Sequence, residues 1–60
     1  MENKIKDIRE QLNISREELA KRAEISINGL RELEHGKIVP TVSLAIKIAE
    51  ILNLKLDKLF

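Results

Sequence analysis

The chain has 60 residues, with eleven Lys and Arg, ten Asp and Glu, one His and no Cys. This length predicts one domain, residues 1–60, near the lower size limit for a core, and the lack of Cys excludes a disulfide framework and a thiolate metal site. A formal net charge of +1 gives no general attraction for nucleic acid. Because no run of eighteen apolar residues and no signal-peptide pattern occurs, we expect a soluble cytoplasmic protein with no membrane partner.

The first predicted helix covers residues 4 to about 12, after a frayed end at residues 1–3 in which Asn3 is a candidate N-cap. Its inner stripe has helical spacing and consists of Ile5, Ile8 and Leu12. Arg9 projects only about 40° from this stripe at 100° per residue. We therefore expect its stem to be partly buried and its guanidinium to need a partner.

The second predicted helix begins at Arg16, directly after a capping signal. Ser15 with Glu18 three residues later is typical of a reciprocal cap, in which each side chain bonds a free backbone N–H group. The inner face of this helix contains Leu19, Ala20 and Ala23, and the small alanines allow another helix to approach closely.

A third helix follows after only two connecting residues, so the pair is joined by a sharp turn. Ser26 is its N-cap, and Gly36 is a natural C-terminal stop. Its buried stripe contains Leu30 and Leu33, and Glu34 lies at the edge of that stripe, where it is a candidate partner for Arg9. Gly29 in the helix interior indicates a close approach to the backbone or has no role.

The fourth helix opens at Pro40 and Thr41 and runs to about Leu52. The predicted core face is Val42, Ala45, Ala49 and Leu52. Three further residues widen the apolar arc of this helix to about 220°: Leu44, Ile48 and Ile51. One neighbouring helix covers only about 100° of arc. A short last helix is expected at residues 56–60. We therefore expect the excess apolar surface of the fourth helix to pack against a second partner besides its neighbouring helix.

No catalytic constellation is present, because no Ser or Cys is placed with a His base and no Gly-rich phosphate loop occurs. His35, the only His, lacks the companions of a metal site, and we interpret it as a partner of the helix-end dipole or as a phosphate contact. We therefore expect no enzymatic activity, no cofactor and no small-molecule substrate.

These features resemble the helix-turn-helix family of phage repressors and Cro-type proteins, often called the XRE family. The resemblance rests on Arg16, Glu17, Glu18, Leu19, Ala20, Ile25, Ser26, Leu30, Leu33, Glu34, Gly36, Pro40, Leu59 and Phe60. It implies an all-α, compact five-helix lambda-repressor-like DNA-binding domain. The helix-turn-helix covers about residues 16–35, and the third helix reads the major groove.

The resemblance also assigns residues to the DNA. The base-contacting set is Ser26, Ile27, Asn28 and Glu32. In that set Asn28 suits adenine, Glu32 suits cytosine N4 and Ile27 suits a thymine methyl, although Ile27 equally well extends the core stripe. The backbone-contacting set is Arg16, Arg31, His35, Lys37 and, secondarily, Arg9. Arg9 and Glu34 correspond to residues that form an ion pair within the family's domain, so their primary expected role is to stabilise the fold.

Two residues depart from the family pattern. Arg16 stands where the family usually has Gln, and a cation at the start of a helix strengthens the attraction for phosphate. Glu24 stands in the turn where Gly is common. If the backbone there has positive φ, Glu costs about 1 to 2 kcal/mol more than Gly.

The sequence predicts a sequence-specific binder of double-stranded DNA. We expect a bacterial or phage-encoded repressor that acts as a homodimer on a pseudo-palindromic operator and lies at the nucleoid when bound. The predicted dimer interface is Leu44, Ile51, Leu54, Leu56 and Phe60, unless the last helix folds back and buries Ile51 and Phe60. The alternative is an antitoxin-like or regulator-like protein-interaction module on the same helices.

Overall fold

Four α-helices and one 3₁₀ turn make up the computed structural model, which describes residues 2–60. They are α1 (Ile5–Gln11), α2 (Arg16–Ala23), α3 (Ile27–Glu34), α4 (Val42–Ile51) and the 3₁₀ turn Leu56–Lys58. Residues 2–60 contain no strand, which confirms the all-α prediction. The count of five helices is wrong, because the last segment forms only a three-residue turn with bonds from Lys58 to Lys55 and from Leu59 to Leu56.

Side-chain oxygens begin the helices at the residues that the sequence indicates. Helices α2, α3 and α4 each start after a hydroxyl that accepts from the backbone N–H three residues later, at 2.9 to 3.1 Å, from Ser15, Ser26 and Thr41. The Asn3 side-chain amide makes two hydrogen bonds. Its Oδ1 accepts from the Ile5 N–H at 3.1 Å, and its Nδ2 donates to the Leu33 carbonyl at 2.8 Å. Asn3 thus ties the start of α1 to α3. Met1 of the predicted frayed end lies outside the described residues.

All four α-helices end in the same motif, in which one left-handed residue turns the chain. The left-handed residues are Asn13, Glu24, Gly36 and Asn53, with φ between 58° and 75°. In each case the next residue donates its N–H to the carbonyl five positions back, as Ile25 does to Ala20 at 3.0 Å. Asn and Gly tolerate this conformation, whereas Glu24 does not, so the expected strain applies at Glu24.

The core lies between α2 and its two neighbours, α3 and α4. It also receives one residue from α1 and one from the end of the chain, and its fully buried large side chains are Ile5, Leu19, Leu30, Leu33, Ile48 and Leu59. The Lys4 N–H donates to the Leu59 carbonyl at 2.8 Å. The two ends of the chain are therefore joined beside the helix pair.

Two residues predicted for the core are exposed. Leu12 is 49% exposed because α1 ends at Gln11, and Leu12 already belongs to the turn. Val42 is 73% exposed because the buried face of α4 is centred on Ile48. Ile46, one turn after Val42 on the same side, is exposed as well.

Candidate nucleic-acid interface

Helix α3 has one face locked into the core and one face in solvent. Its inner face is formed by Leu30, Leu33 and Glu34, which are all buried. Its outer face carries five exposed side chains: Ile27, Asn28, Arg31, Glu32 and His35. At 100° per residue these five span an arc of about 140°. Because the inner face is fixed by packing, the outer face is presented rigidly.

Ile27 belongs to the outer face. The sequence left open whether it extends the core stripe or faces outward, and it is 41% exposed. Its position as the first residue of α3 turns it away from Leu19 and Leu30, which fill the core beneath. The core alternative for Ile27 is therefore wrong.

Ser26 and Gly29 fit each other at the start of α3. The Ser26 Oγ accepts from the Gly29 N–H at 2.9 Å, and a Cβ placed on Gly29 would lie 3.0 Å from that oxygen. The close approach that Gly29 suggested in the sequence is thus made by the capping hydroxyl. A cap keeps the Ser26 hydroxyl hydrogen free to donate elsewhere, since only the oxygen is used.

Asn28 and Arg31 are joined on the outer face. The Arg31 Nη1 donates to the Asn28 Oδ1 at 2.7 Å, across three residues of helix. The sequence assigned Asn28 to bases and Arg31 to phosphate, as separate contacts. The structure places their polar ends together.

A charged cluster, formed by Arg9, Arg16 and Glu34, joins α1, α2 and α3. The Glu34 carboxylate has no solvent exposure; Oε2 accepts from Arg9 Nε at 2.8 Å and Oε1 accepts from Arg16 Nε at 3.0 Å. Arg9 also donates from Nη2 to Glu34 Oε1 at 3.5 Å and from Nη1 to the Ile14 carbonyl at 2.9 Å. Two guanidinium groups thus surround one carboxylate, leaving a formal charge of +1 at the start of α2.

Arg9 and Arg16 differ in whether their guanidinium groups remain accessible for a phosphate contact. All three guanidinium nitrogens of Arg9 bond within the protein and the residue is 6% exposed, so the secondary phosphate contact expected of Arg9 is not supported. The Arg16 side chain keeps 24% of its surface exposed while it bonds Glu34. Sequence reasoning missed this second bond. Arg16 is brought close to Arg9 and Glu34 by the chain turn at Ile14, which places the start of α2 beside Arg9.

His35 and Lys37 are exposed in the turn that ends α3, on either side of Gly36. The Lys37 N–H donates to the Glu32 carbonyl at 3.0 Å, so the backbone of this turn is held to the helix while both side chains face solvent. They remain candidates for phosphate contact.

The predicted dimer residues divide into two groups. Leu44, Ile51 and Phe60 are half-buried against the core of their own chain, because the last segment folds back as the sequence allowed. Leu54 and Leu56 are exposed. Leu54 also lines a groove of about 400 Å³ between α1 and the segment after α4, together with Ile8, Leu12 and Leu52.

Neither a membrane-spanning helix nor a metal-binding cluster is found in residues 2–60. No helix there has the length and apolar character needed to cross a membrane. No group of three or more His, Cys, Asp or Glu residues in that range has the placement to hold a metal ion.

Comparison with known proteins agrees with the geometry. A family model described as Helix-turn-helix matches residues 5–59. The whole chain is 40% identical to an uncharacterized HTH-type transcriptional regulator of Archaeoglobus fulgidus, of which it covers 84%, and 37% identical to one of Methanocaldococcus jannaschii, of which it covers 91%. It is also 30% identical over its full length to the uncharacterized HTH-type transcriptional regulator YgzD of Bacillus subtilis, of which it covers 91%.

The match extends over nearly all of the described helices and includes both the capped pair and the core residues that position α3. It confirms the resemblance drawn from the motif residues. The chain belongs to the XRE-type helix-turn-helix family of DNA-binding transcriptional regulators.

Proposed function

We propose that residues 1–60 act as one domain that binds double-stranded DNA in a sequence-specific manner and represses transcription by occupying an operator. The observation that carries this proposal is the division of α3 into a buried inner face and an exposed outer face with polar groups on it. A helix of this kind fits the major groove, where each base pair presents a distinct pattern of donors and acceptors.

In this proposal the start of α3 enters the groove. The base contacts come from Ser26, Ile27, Asn28 and Glu32, all of which are exposed. Ile27 meets a thymine methyl, and Glu32 accepts from cytosine N4.

Phosphate contacts come from three exposed or half-exposed side chains: Arg16, His35 and Lys37. Arg16 is supported by the surplus positive charge of its cluster with Arg9 and Glu34 at the N-terminus of α2, where the free N–H groups already favour an anion. Local placement of cations thus offsets the near-neutral charge of the chain.

We further propose that the protein acts as a homodimer on a pseudo-palindromic operator. Leu54 lines the same apolar groove as Leu12, and Leu54 and Leu56 are the residues of the predicted interface that the monomer leaves exposed. A two-fold pairing there would set two copies of α3 about 34 Å apart, which is one turn of DNA. Such a regulator acts in the cytoplasm, at the nucleoid.

A second candidate function is a protein-interaction module. It is favoured by exposed apolar side chains in the loop after α3 and on the outer side of α4, namely Ile38, Val39, Val42 and Ile46. The net charge of +1 favours this alternative too.

Selection from random duplex DNA, followed by titration of the selected duplex across salt concentrations, tests DNA binding. We expect an enriched motif and a dissociation constant that rises steeply with salt. About three phosphate contacts per protomer, or six for the proposed dimer, would give a slope of about −5.4 in log K against log salt. No binding tighter than about 10⁻⁴ M at low salt would contradict DNA binding and favour the interaction module.

A further inference from the structure

Arg31 is the one arginine that forms no ion pair within residues 2–60. The chain has four arginines, and Arg9, Arg16 and Arg22 each bond a Glu carboxylate at 2.8 to 3.0 Å. Within residues 2–60, Arg31 has no ion pair, and its hydrogen bond goes to the neutral amide of Asn28. A neutral acceptor orients a guanidinium without cancelling its charge.

The position of Arg31 on α3 places it among the proposed base readers. Counted at 100° per residue from Ile27, Arg31 lies at about 40° and Asn28 at about 100°, so Arg31 falls between two reading positions. Long helical side chains lean toward the N-terminus of their helix. The bond to Asn28 holds the guanidinium one turn back along α3, at the end that enters the groove.

The donors left over have the geometry for guanine. One N–H of Nη1 is used for the Asn28 Oδ1, which leaves the edge formed by Nε and Nη2 with two parallel N–H groups. Guanine offers two adjacent acceptors in the major groove, O6 and N7, and this pair is the commonest specific target of arginine. Contact with phosphate alone would not require the guanidinium to be held by a neighbouring amide.

We propose that Arg31 reads a guanine in each half-site, and that Asn28 is a positioning residue that holds the Arg31 guanidinium for this contact. The proposal rests on the proposed DNA binding. It changes the assignment of Arg31 from the phosphate backbone to a base, and that of Asn28 from a base contact to a positioning residue. The recognised half-site then contains a G·C pair that is read from the N-terminal turn of α3.

The experiment is parallel selection from random duplex DNA with the intact protein and its variants Arg31→Ala, Arg31→Lys and Asn28→Ala. The matched control is Arg22→Ala, which removes an exposed arginine that bonds Glu18 on α2. Circular dichroism melting shows that each variant is folded. Titrations then use the selected duplex and the same duplex with the guanine replaced.

We expect Arg31→Ala to lose the preference for guanine at one position by about 5- to 150-fold and to keep the rest of the motif. Arg31→Lys should keep the salt slope and lose most of this preference, because an ammonium group cannot make the planar double contact. Asn28→Ala should weaken the same guanine preference, and the variant with both changes should be no worse at that position than Arg31→Ala. The motif of the Arg22→Ala control should be unchanged.

The proposal is overturned if Arg31→Ala selects the motif of the intact protein with uniformly weaker binding, since that result assigns Arg31 to phosphate. It is also overturned if Asn28→Ala changes a different base pair only. Either result leaves DNA binding standing. Failure of the intact protein to bind any duplex removes the proposed function itself, so the two failures are distinguishable.

Discussion

Replacing Glu34 by Ala removes the one carboxylate that joins α1, α2 and α3. Its two oxygens accept from Arg9 Nε at 2.8 Å and Arg16 Nε at 3.0 Å, and its side chain is fully buried. Without it, Arg9 keeps a single internal acceptor, the Ile14 carbonyl, and remains charged in a buried position. Breaking a buried ion pair in this way costs about 3 to 5 kcal/mol.

This cost is large against the total stability of the chain. At 0.05 to 0.15 kcal/mol per residue, sixty residues give a free energy of unfolding of about 3 to 9 kcal/mol. Glu34→Ala should therefore lower the melting temperature by about 12 to 40 °C, measured by circular dichroism at 222 nm. Arg9→Ala should have a similar effect, whereas Arg16→Ala should cost about 1 to 2 kcal/mol because Arg16 is partly solvated and Glu34 keeps Arg9.

The matched control is Glu18→Ala. Glu18 also accepts from an arginine at 2.8 Å, but both side chains of the Glu18–Arg22 pair are about half exposed. Loss of the Glu18–Arg22 salt bridge should cost less than about 1 kcal/mol. Because the two salt bridges have the same N–O distance, the difference between the variants measures the effect of burial. A double variant, Arg9→Met with Glu34→Leu, should recover most of the lost stability because it leaves no unpaired charge of this pair inside. If Glu34→Ala melts like Glu18→Ala, the buried-charge reasoning is refuted.

Three further predictions concern the turns and the dimer. Glu24→Gly should stabilise the protein by about 0.5 to 1 kcal/mol in urea denaturation, because it relieves the strain of the left-handed backbone at this position. The substitution loses only an exposed salt bridge to Lys47. Glu24→Ala keeps the backbone strain and should not stabilise the protein. Gly36→Ala should cost about 1 kcal/mol in the same assay, since φ is 75° there, and an unchanged midpoint would contradict the role of this turn. Leu56→Lys should leave the protein folded, as judged by circular dichroism, because Leu56 is exposed, and it should shift the free protein toward monomer in sedimentation at tens of micromolar. A monomer in both the parent and the Leu56→Lys samples would contradict dimerisation through this surface.

Local chemistry alone predicted where α2 and α3 begin and where α3 ends. The caps at Ser15 and Ser26, the stop at Gly36 and the spacing of Leu19, Leu30 and Leu33 are short-range signals, and the structure has each of them in the predicted place. Such signals depend on backbone groups within a few residues, so they can be read without knowing the fold. The face of α3 that is proposed to meet DNA came instead from the resemblance to the family.

Two features depended on how the helices pack. Val42 fitted the apolar spacing of α4 as well as Ile48 did, and only the direction from which α2 approaches decided which of them is buried. The spare oxygen of Glu34 bonds Arg16 because the turn at Ile14 brings the start of α2 beside α1, a distance that sequence spacing does not encode. Periodicity defines an apolar arc on a helix but not which part of the arc a neighbour covers, and the choice is made by long-range contacts that form only when the whole chain has folded.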